Sequence, residues 1–401
     1  MPGPMQDVRV VELGVWVAGP AGGGILADWG ADVVKIEPPG SGDPARSFAK
    51  ILGGDLPFNP PFEMDNRSKR SIALDLSSEE GRALALELID GADVFLSNIR
   101  SSALERLGLG PEALMQRNPR LIYASLTGYG LDGPDSDKPA YDIAAFWARS
   151  GIAWALTPRD ADPPFQRGGM GDHGAGLSTA AAISAALYER EKSGKGQLVS
   201  TSLLRQGIYT ISFDLAVTCR LGVSMQPGHR ANMGNPTVNN YVAGDGKRFW
   251  IVGLEAERHW PPLTEAVGHP EWQTDERFST PGARAQNATE LIGQLDAIFA
   301  TRPLAEWAGI FDGLEDFFWA PVQSVEEVVS DPQVRAAGGL IEVPDGDSTT
   351  TLPNTPVDFG RTRCEPRWMA PDLGQHSEEV LRELGRDEAQ IDALRQRGVV
   401  D

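Results

Sequence analysis

Cysteine is scarce. Cys219 and Cys364 are the two in 401 residues, far apart and in no CxxC pair, which argues against a disulfide framework or zinc knuckle and suits a reduced, cytoplasmic compartment. Histidine is almost as rare: His173, His229, His259, His269 and His376 show no paired ligand spacing, so no metal site is expected. Neither G-x-S-x-G nor H-E-x-x-H occurs, which sets aside serine-hydrolase and zinc-protease chemistry. No stretch approaches the roughly 18 consecutive apolar residues of a membrane span. The opening Met1 to Asp7 lacks a charged leader followed by an apolar core, so no secretory signal is expected. Positive charge is also deficient, with 36 Lys and Arg against 56 Asp and Glu and a net charge of −20. Such a surface repels polyanions, so neither nucleic acid nor an anionic membrane is an expected partner. An anionic ligand would need a local basic pocket.

What is present is a strand and helix rhythm. The run V-R-V-V-E-L from Val8 to Leu13 ends at Gly14, a Gly/Ala-rich helical segment covers Pro20 to Gly30, and Val33 to Ile36 forms a second strand before Glu37. Strands at Ser71–Leu74, Val94–Leu96 and Leu121–Ala124 alternate with helices at Ser78–Asp90 and Ala103–Leu107. This alternation predicts an α/β chain with a parallel, doubly wound sheet. An Ala-rich helix is expected over Gly174 to Glu191, then a strand over Gln197 to Leu203 and helix to about Leu221. The Gly, Pro, Met and Asn of Val223 to Gly234 mark a boundary. A smaller α+β module follows, with a strand at Phe249–Val252 and helices at Trp260–Val267 and Asn287–Ala300. The expected segments are 1–222, 223–325 and 326–401, the last mostly extended with a final helix at Ser377–Leu384.

Three segments could carry chemistry. Gly14 to Pro20, followed by Gly22, Gly23 and Gly24, is a strand-to-helix loop whose amides could hold a phosphate; Glu37 lies where a dinucleotide fold puts its ribose-binding carboxylate. The spacing is not G-x-G-x-x-G and Pro20 removes a donor, so a tight turn is the plain alternative. Arg67, Lys69 and Arg70, with Arg100 and Arg106, are either a solvated face or a phosphate site at the carboxyl ends of strands. Asp172, in G-G-M-G-D-H-G-A-G, is either a helix N-cap or a nucleophile in a glycine-lined site where backbone approaches a ligand. His173 beside it is a weaker partner, because adjacent side chains seldom point the same way.

The opening segment through I-E-P-P-G-S-G-D-P-A-R, then N-R-S-K-R-S-I-A-L-D-L, L-S-N-I-R-S-S-A-L-E-R-L-G-L-G and G-D-H-G-A-G, resemble in that order the family III CoA-transferases, the CaiB/BaiF group. The resemblance implies a Rossmann-like large domain built from both chain ends, an inserted small domain and an interlocked homodimer. It implies Asp172 as nucleophile. It also implies a coenzyme A site lined by Val17, Ala18, the Asn66 to Ser71 segment with Arg67, Lys69 and Arg70, and Asn98, Arg100, Arg106 and Lys138. Tyr141, Asp142, Gly171 and His173 would stand near the reacting thioester.

The expected activity is CoA transfer from an acyl-CoA to a carboxylic acid through aspartyl anhydride and aspartyl-CoA thioester intermediates, with CoA esters as substrates and no tightly bound cofactor. An acyl-CoA racemase or isomerase of the same family, or a non-catalytic nucleotide-binding module, are the alternatives. Racemase members carry His-Asp where this chain has Tyr141-Asp142, and the glycine-rich covering loop of oxalate-using members is missing at Asn232 to Thr237.

Overall fold

Short runs rich in β-branched and other apolar residues form strands, and here six of them pair in parallel: β1 (Arg9–Leu13), β2 (Asp32–Glu37), β3 (Arg70–Ala73), β4 (Val94–Ser97), β5 (Ile122–Thr127) and β6 (Leu198–Ser202). The structure is a computed structural model that describes residues 3–51, 53–54, 56–315 and 317–401; Met1 and Pro2 of the segment read for a leader lie outside it. The sheet order is β3-β2-β1-β4-β5-β6. It reverses direction between β1 and β4, and ligands of such sheets bind in the crevice at that point, outside the carboxyl ends of the strands.

The chain divides into two compact units. One comprises 1–155, 163–224 and 335–401; the other comprises 156–162 and 225–334. In the larger unit, helix Ala18–Asp28 packs directly on the long helix Met170–Ser193. Glycines permit the approach, because a Cβ on Gly176 would come within 2.9 Å of both Ala21 Cβ and Gly22 N. The C-terminal residues complete this unit: Val400 bridges Leu74, and Val380, Leu381, Ile391 and Leu394 join the core beside Ile72 and Leu84. The expectation of a mostly extended tail ending at one helix is corrected by a further helix, Glu388–Gln396, closed by a capping box in which Asp387 and Gln390 satisfy each other's amides. In the smaller unit, the antiparallel strands Val238–Val242, Arg248–Val252 and Trp319–Pro321 cover an aromatic core of Tyr241, Phe249, Phe299, Trp307 and Phe311. Among the described residues, no helix is long and apolar enough to cross a membrane.

Candidate active site

The loop after β1 and the loop after β4 meet at the reversal point, and Asn98 ties them together. Its Oδ1 accepts from Val15 N at 2.9 Å and its Nδ2 donates to Val15 O at 2.8 Å. Asn98 therefore holds the glycine loop in place. The next residue, Trp16, sits at φ 63°, a conformation costly for a non-glycine residue. Its N–H is fixed by Asp43 Oδ1 at 2.9 Å. The indole then stands edge-on to Tyr141 at 5.9 Å and 5.5 Å from Phe48. Ala18 is buried at the start of the first helix.

Trp16, Phe48 and Tyr141 belong to the lining of a cavity of about 450 Å³, whose wall also holds Val17, Pro61, Met64 and Ile143, with Asp142, Gly168, Gly169, Asp172, His173 and Asp65. The long helix starts at Met170, and its N-cap is Gly169 in the left-handed conformation, not Asp172. Asp172 lies inside the first turn and makes no capping hydrogen bond, so the N-cap reading is corrected. Asp172 and His173 both reach the cavity, contrary to the expectation for neighbouring residues.

The bracketing glycines also serve differently from the sequence reading. A Cβ on Gly171 would meet Asp142 Oδ1 and Phe146 Cγ at 2.2 Å, one on Gly174 would meet Gln206 at 3.0 Å, and Gly176 faces the first helix. Three of the five make room for protein. Gly168 and Gly169 remain on the cavity wall.

The site is electrically unusual. Asp142 is buried; its Oδ2 accepts from Gly171 N at 3.0 Å, while its buried Oδ1 has no hydrogen-bond donor among the described residues. Asp65, also buried, pairs with His173 Nε2 at 3.1 Å and holds the imidazole above its usual range. Burial, reinforced by the charge of Asp142, pushes the Asp172 carboxyl up to about 7. Three carboxylates thus share one largely apolar space, and there burial makes Asp172 reluctant to ionise.

The basic cluster divides. Arg67, Lys69 and Arg70 are neither a solvated face nor a free phosphate site, because all three are buried and matched by carboxylates. Arg67 forks onto Asp28 at 2.7 Å, Lys69 reaches Glu12 at 2.7 Å, and Arg70 pairs with Asp32 at 2.6 Å and Glu383 at 2.7 Å. They also precede or begin β3, so they lie at its amino end and not at the carboxyl edge. Glu37 is likewise closed off, receiving Arg46, Ser71 Oγ and Asp43 N. Arg100, Arg106 and Lys138 are different: they are exposed and follow the carboxyl ends of β4 and β5. A hydrogen bond from Ser102 lowers the Asp137 carboxyl, and the charges of Arg100 and Arg106 lower it further, which brings those two arginines to the loop that carries Lys138.

Comparison with known proteins decides the family. The family described as CoA-transferase family III matches residues 5–377. The chain belongs to CoA-transferase family III. It is 31% identical over 99% of both chains to the (R)-2-hydroxy-4-methylpentanoate CoA-transferase of Clostridioides difficile. It is 34% identical to the succinyl-CoA--D-citramalate CoA-transferase of Chloroflexus aurantiacus, covering 100% of this chain and 98% of that one. A CaiB/BaiF family protein from Brucella suis, solved by crystallography, superposes with a TM-score of 0.83 at 30% identity over 96% of this chain and 100% of that one. A family III member is an enzyme of the CoA-transferase class, and the non-catalytic module is set aside.

Sequence reasoning did not single out Trp16, Phe48, Pro61, Met64, Asp65 or Ile143, which complete the cavity. Trp16 lies inside the Gly14 to Pro20 loop and Asp65 directly precedes the N-R-S-K-R-S stretch, but neither stands out there.

Proposed function

We propose that this enzyme moves coenzyme A between carboxylic acids with Asp172 as the covalent carrier. The observation that carries the reading is the position of Asp172 on the wall of the cavity, at the head of a 24-residue helix and beside two further carboxylates. An Asp172 oxygen attacks the carbonyl carbon of the donor thioester; the C–S bond breaks, leaving a mixed anhydride and CoA thiolate. The thiolate attacks Asp172 Cγ, expelling the donor acid and forming an aspartyl-CoA thioester. The acceptor carboxylate attacks the same Cγ to give a second anhydride and thiolate. Attack of that thiolate on the acceptor acyl carbon forms the product and restores the carboxylate. Burial and the Asp142 charge disfavour the free anion, whereas either acylated form is neutral, so the environment favours the covalent states over the resting one. Partial positive charge at the helix N-terminus favours the oxyanion formed at each attack.

The discriminating experiment incubates purified enzyme with an acyl-CoA, with and without a carboxylate acceptor, in heavy water. Transfer consumes the ester only when acceptor is present. Fast acceptor-independent deuterium uptake at the α-carbon, lost in Asp142→Asn, would instead establish the isomerase reading with Asp142 and Asp172 as an acid/base pair. Tyr141 stands where racemase members carry a histidine, which gives that route little support.

The exposed cations at the sheet's carboxyl edge suit the phosphates of CoA in a chain of net charge −20. The variant Arg100→Ala/Arg106→Ala/Lys138→Ala is expected to raise the acyl-CoA KM by about tenfold while kcat stays within about twofold, because such contacts bind ground and transition states alike. Added salt should raise the wild-type KM in the same sense. An unchanged KM would return these side chains to the solvated surface.

The same reading takes 1–222 and 326–401 as a CoA-binding domain around an inserted module, 223–325, in an interlocked cytoplasmic homodimer. The existence of two compact units, the larger drawn from both chain ends, supports the division. Elution of the purified protein at its 43.2 kDa chain mass would argue against the dimer.

A further inference from the structure

We propose that the acids this enzyme exchanges are apolar monocarboxylic acids with a branched or aromatic body, and that acids carrying a second carboxylate are discriminated against. The inference rests on the CoA-transfer reading of the Asp172 cavity and adds to it the class of acid. In the thioester or anhydride the reacting end of the acid carries no net charge, so the rest of the cavity has only the body of the acid to recognise. Here that rest is Trp16, Val17, Phe48, Pro61, Met64 and Ile143, with the exposed ring of Tyr141 at its rim. The space, about 450 Å³, has room for a ring or branched chain beside the reacting group.

The charge balance points the same way. Among the described residues that line the cavity there is no lysine or arginine, and the base present, His173, is already bound by Asp65. A second carboxylate on the substrate would enter apolar surroundings with no free cation to pair with and would face Asp65, Asp142 and Asp172. Unpaired anions in such surroundings are strongly disfavoured, and neighbouring like charges add to the penalty. In the basic run that follows Asp65, Arg67 is committed to Asp28, Lys69 to Glu12, and Arg70 to Asp32 and Glu383, while Lys50 and Arg167, close to Phe48 and Gly168 in sequence, are exposed and do not line the cavity. An apolar body, by contrast, gains by leaving water for this wall.

The test is a panel of acceptors, 3-phenylpropanoate, 4-methylpentanoate, acetate, succinate and glutarate, each offered with propionyl-CoA and with succinyl-CoA as donors, and product esters followed by liquid chromatography and mass spectrometry. The expected result is a kcat/KM for the two bulky apolar acids at least about 30-fold above those for succinate and glutarate. Ile143 is about half exposed, at 47%, so Ile143→Lys should fold, and it places a cation on the wall. That variant should move the ratio toward succinate by about tenfold or more. Equal or better transfer to the dicarboxylates in the wild type would overturn the proposal, and would mean that the apolar wall serves the pantetheine arm of CoA; the transfer reading would stand. An unmoved ratio in Ile143→Lys would likewise remove the wall from acid selection. Absence of transfer to every acid, with either donor, would overturn the transfer reading itself and this inference with it.

Discussion

Asp172→Asn is expected to lower CoA transfer by about 10⁴-fold or more, the scale seen when an essential nucleophile is removed, while making the folded protein more stable at alkaline pH. Both effects come from one environment. The carboxyl is pushed up to about 7 by burial and by Asp142, whereas in the unfolded chain it titrates near 4. A folded-state value above the unfolded one means that the native state holds the proton more tightly, so between about pH 4 and pH 7 rising pH erodes stability, and above pH 7 the full cost is present. The amide carries no such charge. Asp172→Asn should therefore gain on the order of 1–4 kcal/mol over wild type at pH 8, and the difference should vanish near pH 4. In wild type, kcat/KM for the donor ester should climb with pH and level off above an apparent value near 7, because only the ionised carboxylate attacks. Hydroxylamine trapping after incubation with acyl-CoA, read by mass spectrometry, should place the label on Asp172. A label elsewhere, or a variant that retains turnover, would remove Asp172 from the covalent role. A variant no more stable than wild type at pH 8 would show that the surroundings of the carboxylate are well solvated.

The sheet was legible because its signals are local. Val8 to Leu13 and Val33 to Ile36 are β-branched runs closed by a glycine or by Glu37 and Pro38, and the intervening Gly/Ala segment can only cross over as a helix. The final helix was legible too and was missed: Asp387 and Gln390 stand three apart, the spacing of a capping box, ahead of Ile391 and Leu394. What no local pattern could supply was the partner of each charge. The run R-S-K-R reads as surface or ligand site in isolation, yet Arg70 finds Glu383 across 313 positions and Arg67 finds Asp28 across 39. Asp172 was singled out by its glycines, although three of them answer to Phe146, Gln206 and Ala21 rather than to a ligand. The apolar wall was invisible for a related reason: Trp16, Phe48, Met64 and Ile143 come from four separate segments and converge only in the folded chain.

Lys69 is the residue for which the structure most changes the expected outcome. As a phosphate ligand it would be dispensable for folding, and its loss would show in the KM for CoA. The structure instead puts its ammonium group out of contact with solvent, donating to Glu12 Oε2 at 2.7 Å, Pro20 O at 2.8 Å and Asn66 Oδ1 at 3.0 Å. Glu12 is equally buried. Burial works against its charge, yet Lys69 and Lys35 hold its carboxyl below the usual range, Lys35 from 3.0 Å. The first helix leaves no slack around this group, because a Cβ on Gly23 would fall 1.9 Å from Glu12 Oε2. Lys69→Met fills similar volume but strands half of the Glu12 charge inside the protein and leaves Pro20 O and Asn66 without their donor. Removing one partner of a buried pair costs about 3–5 kcal/mol, a large part of the roughly 5–15 kcal/mol that keeps a typical domain folded. Lys69→Met should therefore unfold at markedly lower denaturant concentration and temperature, with the acyl-CoA KM of the fraction that stays folded nearly unchanged. Glu12→Gln/Lys69→Met removes the stranded charge while Lys35 keeps Asp43, 2.9 Å away, and Gly14 O, at 2.8 Å. It should recover more than half of the lost stability, a non-additivity that a pair of independent sites would not show. Unaltered stability of Lys69→Met together with a raised KM would restore the phosphate-binding role and overturn the structural one.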